Sequence, residues 1–356
     1  MIFAMNRRTV LSGLLTAGVI GSSRGALAEG PSPVPIGDMH AHLFFVGPKP
    51  ADQQPLGLNM AGGGASLVSW SLVGDQPWIR RTERGLRQSG NPKGGAATKW
   101  FEKELARVKA HIAEQNLKVA LTPSDLDRAL VGEPHVLLSV EGASFLDDGI
   151  AGLQRAYAAG VRHIQLVHYI ENTVGDFQTE APRHNGLTAF GRDVVLECNR
   201  LGILVDLAHC TAEAVTQTLE VSRAPVVWSH SSVVRGEEPN WKMTPWRARR
   251  LSLDAARAIA GKGGVVGVWA LRSDVGATAQ SYADRVLELA SWLGDDHVGF
   301  GTDMNALSNS PIANYADLRR AVEHMERRGI ERDRIKKIAI GNYVRVLRSA
   351  MTGARP

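Results

Sequence analysis

Cysteine is scarce in this sequence, and its scarcity excludes small folds that depend on cross-links. The 356 residues include two cysteines, Cys198 and Cys210. Two cysteines cannot form a disulfide framework or a cysteine-rich zinc module. The sequence leaves open whether they pair with each other. We expect two free thiols, because Cys210 directly follows His209 at a predicted strand end.

Long hydrophobic runs and an excess of one charge are also missing from most of the chain. Apart from the N-terminus, no apolar run reaches the roughly 20 residues of a membrane span. Residues 1–28 contain three arginines and no acid, so the remainder carries 38 basic and 36 acidic residues. Nucleic-acid binding needs a clustered basic face. We therefore predict no nucleic-acid partner and no membrane span in the mature chain.

Residues 1–28 have the pattern of an export signal. Arg7 and Arg8 precede an apolar stretch at 10–20, and the small-x-small sequence at 26–28 is typical of a cleavage site. The paired arginines indicate the twin-arginine route. We predict an exported, periplasmic protein whose folded domain covers 29–356. An N-terminal membrane anchor is the alternative.

Eight short apolar runs alternate with amphipathic segments from residue 36 onward. The runs lie at 36–42, 65–73, 136–141, 163–168, 203–209, 225–230, 264–269 and 297–303. Helices are predicted at 98–115, 150–159, 189–201, 212–222, 253–260, 281–293 and 315–328. Near-continuous apolar strands between helices are typical of a buried parallel sheet. We predict an α/β protein with one (β/α)8 TIM-type barrel, with an open doubly wound sheet as the alternative. The Gly- and Pro-rich stretch 47–64 is predicted to be a long loop.

Most of these runs end in a residue that can bind a metal or move a proton. The residues are His40, His42, Glu141, His168, His209, His230 and Asp303. Barrel enzymes build their active sites at the carboxyl ends of the strands, so we expect these side chains to meet there. Two-residue spacing places His40 and His42 on one side of a strand. By the same alternation, Asp38 is predicted to orient a ligand imidazole, and His163 to face outward.

Histidines with carboxylates indicate a two-metal hydrolase. We predict His40, His42, Glu141, His209 and His230 as metal ligands, because a carboxylate such as Glu141 can bridge two cations. Nitrogen and oxygen ligands without thiolate suit two Zn²⁺ ions best, with Mn²⁺, Fe²⁺ or Co²⁺ as alternatives. Asp303 could relay a proton to the leaving amine.

The same motifs carry a family resemblance. The segments DMHAH, LLSVEGASFL, APVVWSHSS and HVGFGTDMNAL resemble the membrane dipeptidase family within the amidohydrolase superfamily. The resemblance implies a barrel that holds two zinc ions and hydrolyses dipeptides, some with a D-residue at the carboxyl end. It implies Asp303 as the catalytic acid/base and His168 as a hydrogen-bond donor to the tetrahedral intermediate. It also implies Arg250 as the receiver of the substrate carboxylate, and a homodimer is common among relatives.

Three features depart from the family pattern, one of them the loop at about 43–63, which lacks the family's usual length and sequence. The family usually has His-x-Asp on the first strand, whereas this chain has His40-Ala41-His42. The segment 231–249 is also longer, so Arg235, Arg247 or Arg249 could replace Arg250. These departures keep open a related metal-dependent amidohydrolase acting on another small amide or lactam. A third hypothesis is a non-catalytic periplasmic binding or scaffold protein that retains the barrel; it predicts missing ligands, and none of the predicted ligands is missing.

Overall fold

Eight parallel strands form the centre of the molecule in the computed structural model, which describes residues 32–42, 55–83 and 85–353. In chain order they are β1 (Ile36–Ala41), β2 (Ala65–Val73), β3 (His135–Glu141), β4 (Val161–Gln165), β5 (Leu204–Asp206), β6 (Val227–Ser231), β7 (Val265–Val268) and β8 (Val298–Phe300). Each strand pairs with the next one along the chain. A parallel bridge from Ala41 to Met304 brings the last strand to the first. The result is a nearly closed TIM-type barrel, which confirms the predicted fold.

Helices cover the outside of this barrel. They are Leu56–Gly63, Ala96–Glu114, Pro123–Leu130, Ala151–Ala158, Ala189–Leu201, Ala212–Val221, Pro245–Ala248, Leu253–Gly261, Arg272–Val275, Ala279–Leu293, Tyr315–Arg327, Arg332–Lys336 and Asn342–Gly353. A π-helical turn, Lys337–Gly341, precedes the last of them. Five short strands lie outside the barrel path or beside it. Ile79–Thr82 and Gly85–Gln88 form a hairpin, Val233–Val234 pairs with Leu251–Ser252, and Lys118–Val119 adds to β3.

The predicted loop at 47–64 is wrong in its second half. Residues 56–63 form a helix, whereas 47–54 lie outside the described residues. Leu56 and Met60 are four residues apart and both are buried, so they present one apolar face to the barrel. The glycines that suggested a loop include Gly64, which ends the helix in a left-handed conformation with φ of 66°.

The helix Ala189–Leu201 has the bounds that the sequence predicts, because both of its ends are marked. Thr188 accepts a hydrogen bond from the backbone nitrogen of Gly191, which is a standard N-cap. Gly202 ends the helix with φ of 82°.

The barrel interior is apolar at the amino-terminal ends of the strands and polar above them. Met39, Leu67, Leu137 and Val265 form a buried cluster with Tyr343 of the last helix. The prediction that His163 faces outward is wrong, because it is 1% exposed inside the barrel. Its ring contacts Asp206 at 3.3 Å and Tyr343 at 3.0 Å. Strand β4 ends at Gln165, so the two-residue alternation does not extend from His168 back to His163.

The predicted export signal at 1–28 lies outside the described residues. Within the described part of the chain, no helix is long and apolar enough to cross a bilayer. Cys198 and Cys210 are both buried and free. Burial raises the pKa of both thiols, which keeps them protonated and unreactive.

Candidate metal centre and active-site pocket

Five imidazole rings surround one buried carboxylate at the carboxyl ends of the barrel strands. Oε1 of Glu141 lies 3.4 Å from Nε2 of His40, 3.2 Å from that of His209 and 3.5 Å from that of His230. Oε2 lies 3.6 Å from Nε2 of His42 and 3.3 Å from that of His168. Asp303 reaches Nε2 of His42 at 3.2 Å. The structure thus brings together all seven of the residues predicted at strand ends.

The seven predicted side chains enter the site from the ends of six strands or the loops after them, and His40 and His42 both come from β1. His40 lies on β1, Glu141 ends β3 and His230 lies on β6. His168, His209 and Asp303 each lie three residues beyond the last residue of β4, β5 and β8. In a parallel barrel these ends share one face, so residues far apart in sequence meet there.

Backbone strain marks two of these positions. His209 has φ of 71° and Asp303 has φ of 55°, both in the left-handed region that non-glycine residues seldom adopt. Such a conformation costs about 1–3 kcal/mol and persists where the surrounding structure imposes it, often at functional sites. The strain therefore accompanies the turn that aims each side chain inward.

Gly142 allows His168 to approach Glu141. It has φ of 87°, and a Cβ atom at this position would lie 2.9 Å from Cβ of His168. Only glycine combines this backbone conformation with so close a neighbour.

Backbone and hydroxyl groups fix the orientation of the histidines of β1. Nδ1 of His42 donates to the carbonyl oxygen of Ser71 at 2.8 Å, which leaves Nε2 facing the carboxylates. Nδ1 of His40 lies 3.1 Å from the hydroxyl of Ser71 and 3.3 Å from that of Ser229.

The predicted role of Asp38 in orienting an imidazole is therefore wrong. Its carboxylate accepts hydrogen bonds from the backbone nitrogens of His40 and Thr302 and from the hydroxyls of Thr302 and Tyr315. Asp38 thus connects β1 to the end of β8. Burial raises the pKa of this carboxyl despite these hydrogen bonds.

The electrostatics of the cluster disfavour protonation of two of its histidines, His209 and His230. Burial, together with the positive charge of Arg249, lowers the pKa of His209 well below its usual range. Burial, His40 and Arg249 do the same to the pKa of His230. Burial raises the pKa of Glu141, but the neighbouring His168 and His40 and hydrogen bonds from His209 and His40 outweigh it. The pKa of Glu141 therefore lies well below its usual range, and the group is ionised.

His42 is the exception among these histidines. Burial lowers the pKa of His42, but the hydrogen bond to Asp303 and the charge of Glu141 together raise it by more, so the net shift is upward. Its imidazole therefore binds a proton more readily than that of His209 or His230. A metal ion bound by His42 has to replace that proton.

The arrangement fits a cation. Nε2 atoms of His40 and His42 are 3.1 Å apart, and those of His209 and His230 are 3.3 Å apart. Two nitrogens bound to one tetrahedral zinc ion at about 2.0–2.1 Å are separated by about 3.3 Å. Oε2 of Glu141 has no hydrogen-bond partner among the described residues. Three overlapping ligand groups occur here: His40, His42 and Asp303; His40, Glu141 and His230; and Glu141, His168 and His209.

A buried carboxylate that sequence reasoning missed holds His168. Oδ1 of Asp75 lies 2.6 Å from Nδ1 of His168, and Oδ2 accepts a hydrogen bond from the backbone nitrogen of Tyr169. Asp75 is fully buried. It follows β2 by two residues, so the rule applied to the other strand ends would have found it. Because Asp75 accepts from Nδ1, Nε2 of His168 is the nitrogen directed at Glu141.

Of the four arginines that the sequence left open, Arg249 is the one directed into the pocket. It is 4% exposed, and its guanidinium donates to the Tyr169 hydroxyl at 3.0 Å and to Nε2 of His230 at 2.9 Å. The structure does not bring Arg250, the arginine preferred from sequence, to the metal ligands. Arg250 pairs with Glu237 at 2.7 Å, and Arg247 pairs with the same carboxylate. Arg235 stacks on Trp292, 4.1 Å from its ring centre.

A cavity of about 790 Å³ opens above the ligands. Its floor includes His42, Glu141, His168, His209, His230 and Asp303. Arg249, Tyr169 and Trp269 form one wall, and Trp241 and Trp246 lie toward the rim. A concave site with few convergent polar groups is the usual form of a small-molecule binding site.

Comparison with known proteins agrees with this geometry. The family model of the membrane dipeptidases (peptidase family M19) matches residues 60–356. Dipeptidase tcpJ of Claviceps purpurea is 33% identical over 223 residues, which cover 60% of this chain and 50% of the relative. Dipeptidase 3 of Mus musculus is 30% identical over 226 residues, which cover 60% of this chain and 44% of the relative. The chain thus spans about half the length of the curated relatives it matches.

Solved structures share the fold. A metallopeptidase from Rhodobacter sphaeroides, liganded with a phosphinate mimic of the dipeptide L-Ala-D-Ala, superposes with a TM-score of 0.72 at 19% identity. The match covers 89% of this chain and 99% of that one. An amidohydrolase from Pseudomonas aeruginosa gives the same TM-score at 20% identity and covers 90% of this chain and 97% of its own. The barrel carries the predicted metal-binding residues, and the family model matches most of the sequence. The chain therefore belongs to the membrane dipeptidase family, peptidase family M19.

Proposed function

We propose that this protein is a binuclear metal-dependent dipeptidase. The observation that carries the proposal is the convergence of five imidazoles on the buried carboxylate of Glu141, at 3.2–3.6 Å. Imidazole nitrogens around one carboxylate, with pairs of Nε2 atoms at the spacing of zinc ligands, form a donor set suited to divalent cations. The family match supports hydrolysis of a peptide bond as the reaction.

Two divalent ions, with Zn²⁺ as the preferred metal, would be held by residues already described. His40 and His42 would bind one ion and His209 with His230 the other, and Glu141 would contribute to both. When bound, such ions polarise the scissile carbonyl and lower the pKa of a water molecule toward 7. The low pKa values of His209, His230 and Glu141 keep these groups in the unprotonated forms that metal binding requires.

The remaining polar groups divide the work of binding and proton transfer. Arg249 would receive the terminal carboxylate of the substrate, because a guanidinium forms paired hydrogen bonds with that group. Nε2 of His168, in the form with a proton on both ring nitrogens, would donate a hydrogen bond to the oxygen that becomes negative during attack. Asp303, at the edge of the ligand cluster, would take a proton from water and pass it to the leaving amine.

Dipeptides that end in a D-residue belong to the proposed substrate range. The Rhodobacter sphaeroides metallopeptidase of the same fold was solved with a mimic of L-Ala-D-Ala. Arg249 would hold the carboxylate of either stereoisomer, while the surrounding wall would determine which side chain fits.

A second candidate, hydrolysis of another small amide or lactam, is favoured by His42. A neutral imidazole in place of the family carboxylate makes the ligand set less negative by one charge. This change alters the charge balance that the substrate meets. Turnover of acylated amino acids or lactams by a protein that leaves dipeptides intact would favour this alternative.

Metal analysis combined with a dipeptide panel tests the proposal. Purified protein is stripped with a chelator, reloaded with Zn²⁺, and assayed for bound metal and for release of amino acids from L,L- and L,D-dipeptides. We expect two ions per chain and turnover only after reloading. Glu141→Gln should lose both metal and activity, whereas a fully reloaded wild type that cleaves none of the panel would contradict the proposal.

We also propose that the chain is exported, on the basis of the signal pattern at 1–28. The proposal predicts that a fusion of residues 1–28 to a reporter reaches the periplasm through the twin-arginine route. Replacing Arg7 and Arg8 with lysine should abolish that export. Homodimer formation stays a prediction that sedimentation analysis would test.

A further inference from the structure

The cavity above the metal ligands is larger than a dipeptide of two small residues needs. Its volume of about 790 Å³ falls within the range of roughly 300–1,000 Å³ typical of sites that enclose drug-sized ligands. The groups that would act on the peptide bond lie together on its floor. The lining residues above this floor therefore determine what else can bind.

Two tryptophans expose apolar surface at this rim. Trp241 and Trp246 are each 40% exposed and both line the cavity. They belong to residues 237–250, which we call the tryptophan segment. Leu86, Leu271 and Leu307 also line the cavity. Large aromatic side chains left partly open to water beside a site are typical of surfaces that bind apolar groups.

The tryptophan segment is held in place by the protein. Glu237 pairs with Arg247 and Arg250 within the segment. The hairpin formed by Ile79–Thr82 and Gly85–Gln88 packs against it, since a Cβ atom on Gly85 would lie 3.2 Å from Pro245. These contacts therefore support the segment that carries the two tryptophans.

Two arginines near the tryptophans are paired with carboxylates of the protein. Arg87 lies 3.5 Å from Glu180, and Arg250 is paired with Glu237. Nζ of Lys242 lies 5.7 Å from the ring centre of Trp241. Glu83 also lines the cavity, but the two tryptophans and three leucines supply most of the large side chains near the rim, which favours an uncharged apolar group.

The tryptophan segment also connects the rim to the proposed carboxylate site. Trp246 lies in the helical turn Pro245–Ala248, three residues before Arg249. The guanidinium of Arg250 lies 5.4 Å from the ring centre of Trp246, and Trp246 and Arg249 both line the cavity. A substrate whose carboxylate reaches Arg249 therefore occupies the same cavity that Trp246 lines.

We propose that the preferred substrates are dipeptides in which one residue carries a bulky, uncharged apolar group, such as an aromatic ring, that packs against Trp241 and Trp246. This inference rests on the proposed dipeptidase function and specifies its substrate class. The large apolar group fills the space between the peptide bond and the rim.

A matched substrate series tests the inference. Zinc-loaded protein is assayed with Ala-Ala, Ala-Phe, Phe-Ala, Ala-Trp, Ala-Glu and Ala-Lys. We expect kcat/KM for the better aromatic dipeptide to exceed that for Ala-Ala by about tenfold or more, as for groups that fill an apolar pocket. Dipeptides with a charged side chain should be no better than Ala-Ala.

Variants then assign the preference to the rim. Trp241→Ala, Trp246→Ala and the double variant should reduce the ratio of kcat/KM for aromatic dipeptide over Ala-Ala, and the double variant should bring it near one. Leu196→Ala is the control, since Leu196 is 39% exposed and does not line the cavity. Its ratio should match wild type. If an alanine variant does not fold, Trp241→Leu and Trp246→Leu replace it in the same comparison.

Binding provides a readout that does not depend on turnover. Calorimetry with phosphinate analogues of Ala-Ala and of the preferred aromatic dipeptide should show the same preference, with the same loss in the double variant. Equal kcat/KM for Ala-Ala and aromatic dipeptides, a preference for charged side chains, or an unchanged ratio in the double variant would overturn the inference while leaving the dipeptidase function intact. A reloaded protein that cleaves no dipeptide would overturn both.

Discussion

Neighbouring residues in this chain have different surroundings, and the difference decides their function. Arg249 points into the cavity beside His230, whereas Arg250 forms a surface ion pair with Glu237. His168 faces Glu141. The next residue, Tyr169, is not a predicted metal ligand, and its hydroxyl accepts a hydrogen bond from Arg249. Burial raises the pKa of Tyr169, so its hydroxyl stays protonated. Side-chain direction, and not position along the sequence, assigns these roles.

Arg249→Lys should weaken substrate binding. A lysine cannot form the paired hydrogen bonds of a guanidinium with a carboxylate. We expect KM to rise, with kcat/KM lower by about 30-fold or more, which corresponds to about 2 kcal/mol. Steady-state kinetics with a dipeptide and with its C-terminal amide provide the measurement. Arg250→Lys is the matched control, and an equal effect of both substitutions would contradict the assignment.

Asp75→Asn should slow the reaction without removing metal. The carboxylate holds His168 through Nδ1 at 2.6 Å, and its loss weakens the orientation of that ring. Loss of such an orienting partner costs about 10–100-fold in activity in comparable sites. We expect kcat to fall by this factor, with KM and bound metal near wild type. A fall in metal content equal to the fall in kcat would indicate a different role.

At the scale of elements, the turns after the strands do the positioning. Three of the strand-end residues, His168, His209 and Asp303, lie beyond the regular strand in segments that leave the two-residue alternation. Gly142 allows the loop after β3 to pass close to His168. The sheet provides a common face, and the irregular turns determine which way each side chain points.

Gly142→Ala tests this positioning. The added methyl group would lie 2.9 Å from Cβ of His168 at a residue with φ of 87°. We expect a loss of stability of about 1–2 kcal/mol from the backbone conformation alone and a clear fall in kcat from displacement of His168. Thermal unfolding and kinetics are measured together.

Gly149→Ala is the control for this change. Gly149 has a similar φ of 92°, but a Cβ atom there would meet nothing within 4 Å among the described residues. It should lose similar stability and retain wild-type kcat. If Gly142→Ala also retained wild-type kcat, the close approach to His168 would have no catalytic consequence.

For the whole molecule, the barrel interior joins the site to the C-terminal helix. Asp206 accepts hydrogen bonds from the backbone nitrogens of Ala208 and Ser229 and lies 3.3 Å from His163, which in turn contacts Tyr343. Burial raises the pKa of Asp206, but the hydrogen bond and charge of His163 outweigh it, so the pKa lies below its ordinary value of 3.8. The ionised carboxylate thus stabilises the folded barrel.

Asp206→Asn should destabilise the protein in a pH-dependent way. A carboxyl group with a lowered pKa contributes stability above its ordinary pKa, and this contribution disappears as the pH falls through the folded-state pKa. We expect a loss of about 1–3 kcal/mol at pH 7. The difference from wild type should shrink as the pH falls below about 4. The measurement is denaturant unfolding between pH 3 and pH 7. The protein is first treated with a chelator, which removes any contribution of bound metal. A constant difference across this range would contradict the account.

Much of the architecture follows from the sequence because the signals are local and repeated. The apolar run 65–73 matches β2, and the helix Ala189–Leu201 has both end signals beside it. Missed features lack such signals or conflict with them. The helix Leu56–Gly63 is rich in glycine, and the single-turn helix Pro245–Ala248 is too short for periodicity. The predicted orientation of His163 was wrong because the alternation of side chains holds only inside a regular strand.

The sequence by itself determined the chemistry of the site. It shows which residue types follow the strands, and its strand and helix pattern predicts a parallel barrel that gathers the strand ends on one face. Tertiary structure alone decided which arginine enters the cavity, that Asp75 supports His168, and that two tryptophans form the rim. The physical reason is that strand periodicity acts over a few residues. The direction of a side chain in a loop depends instead on packing between segments that are distant in sequence, such as the hairpin at 79–88 and Pro245.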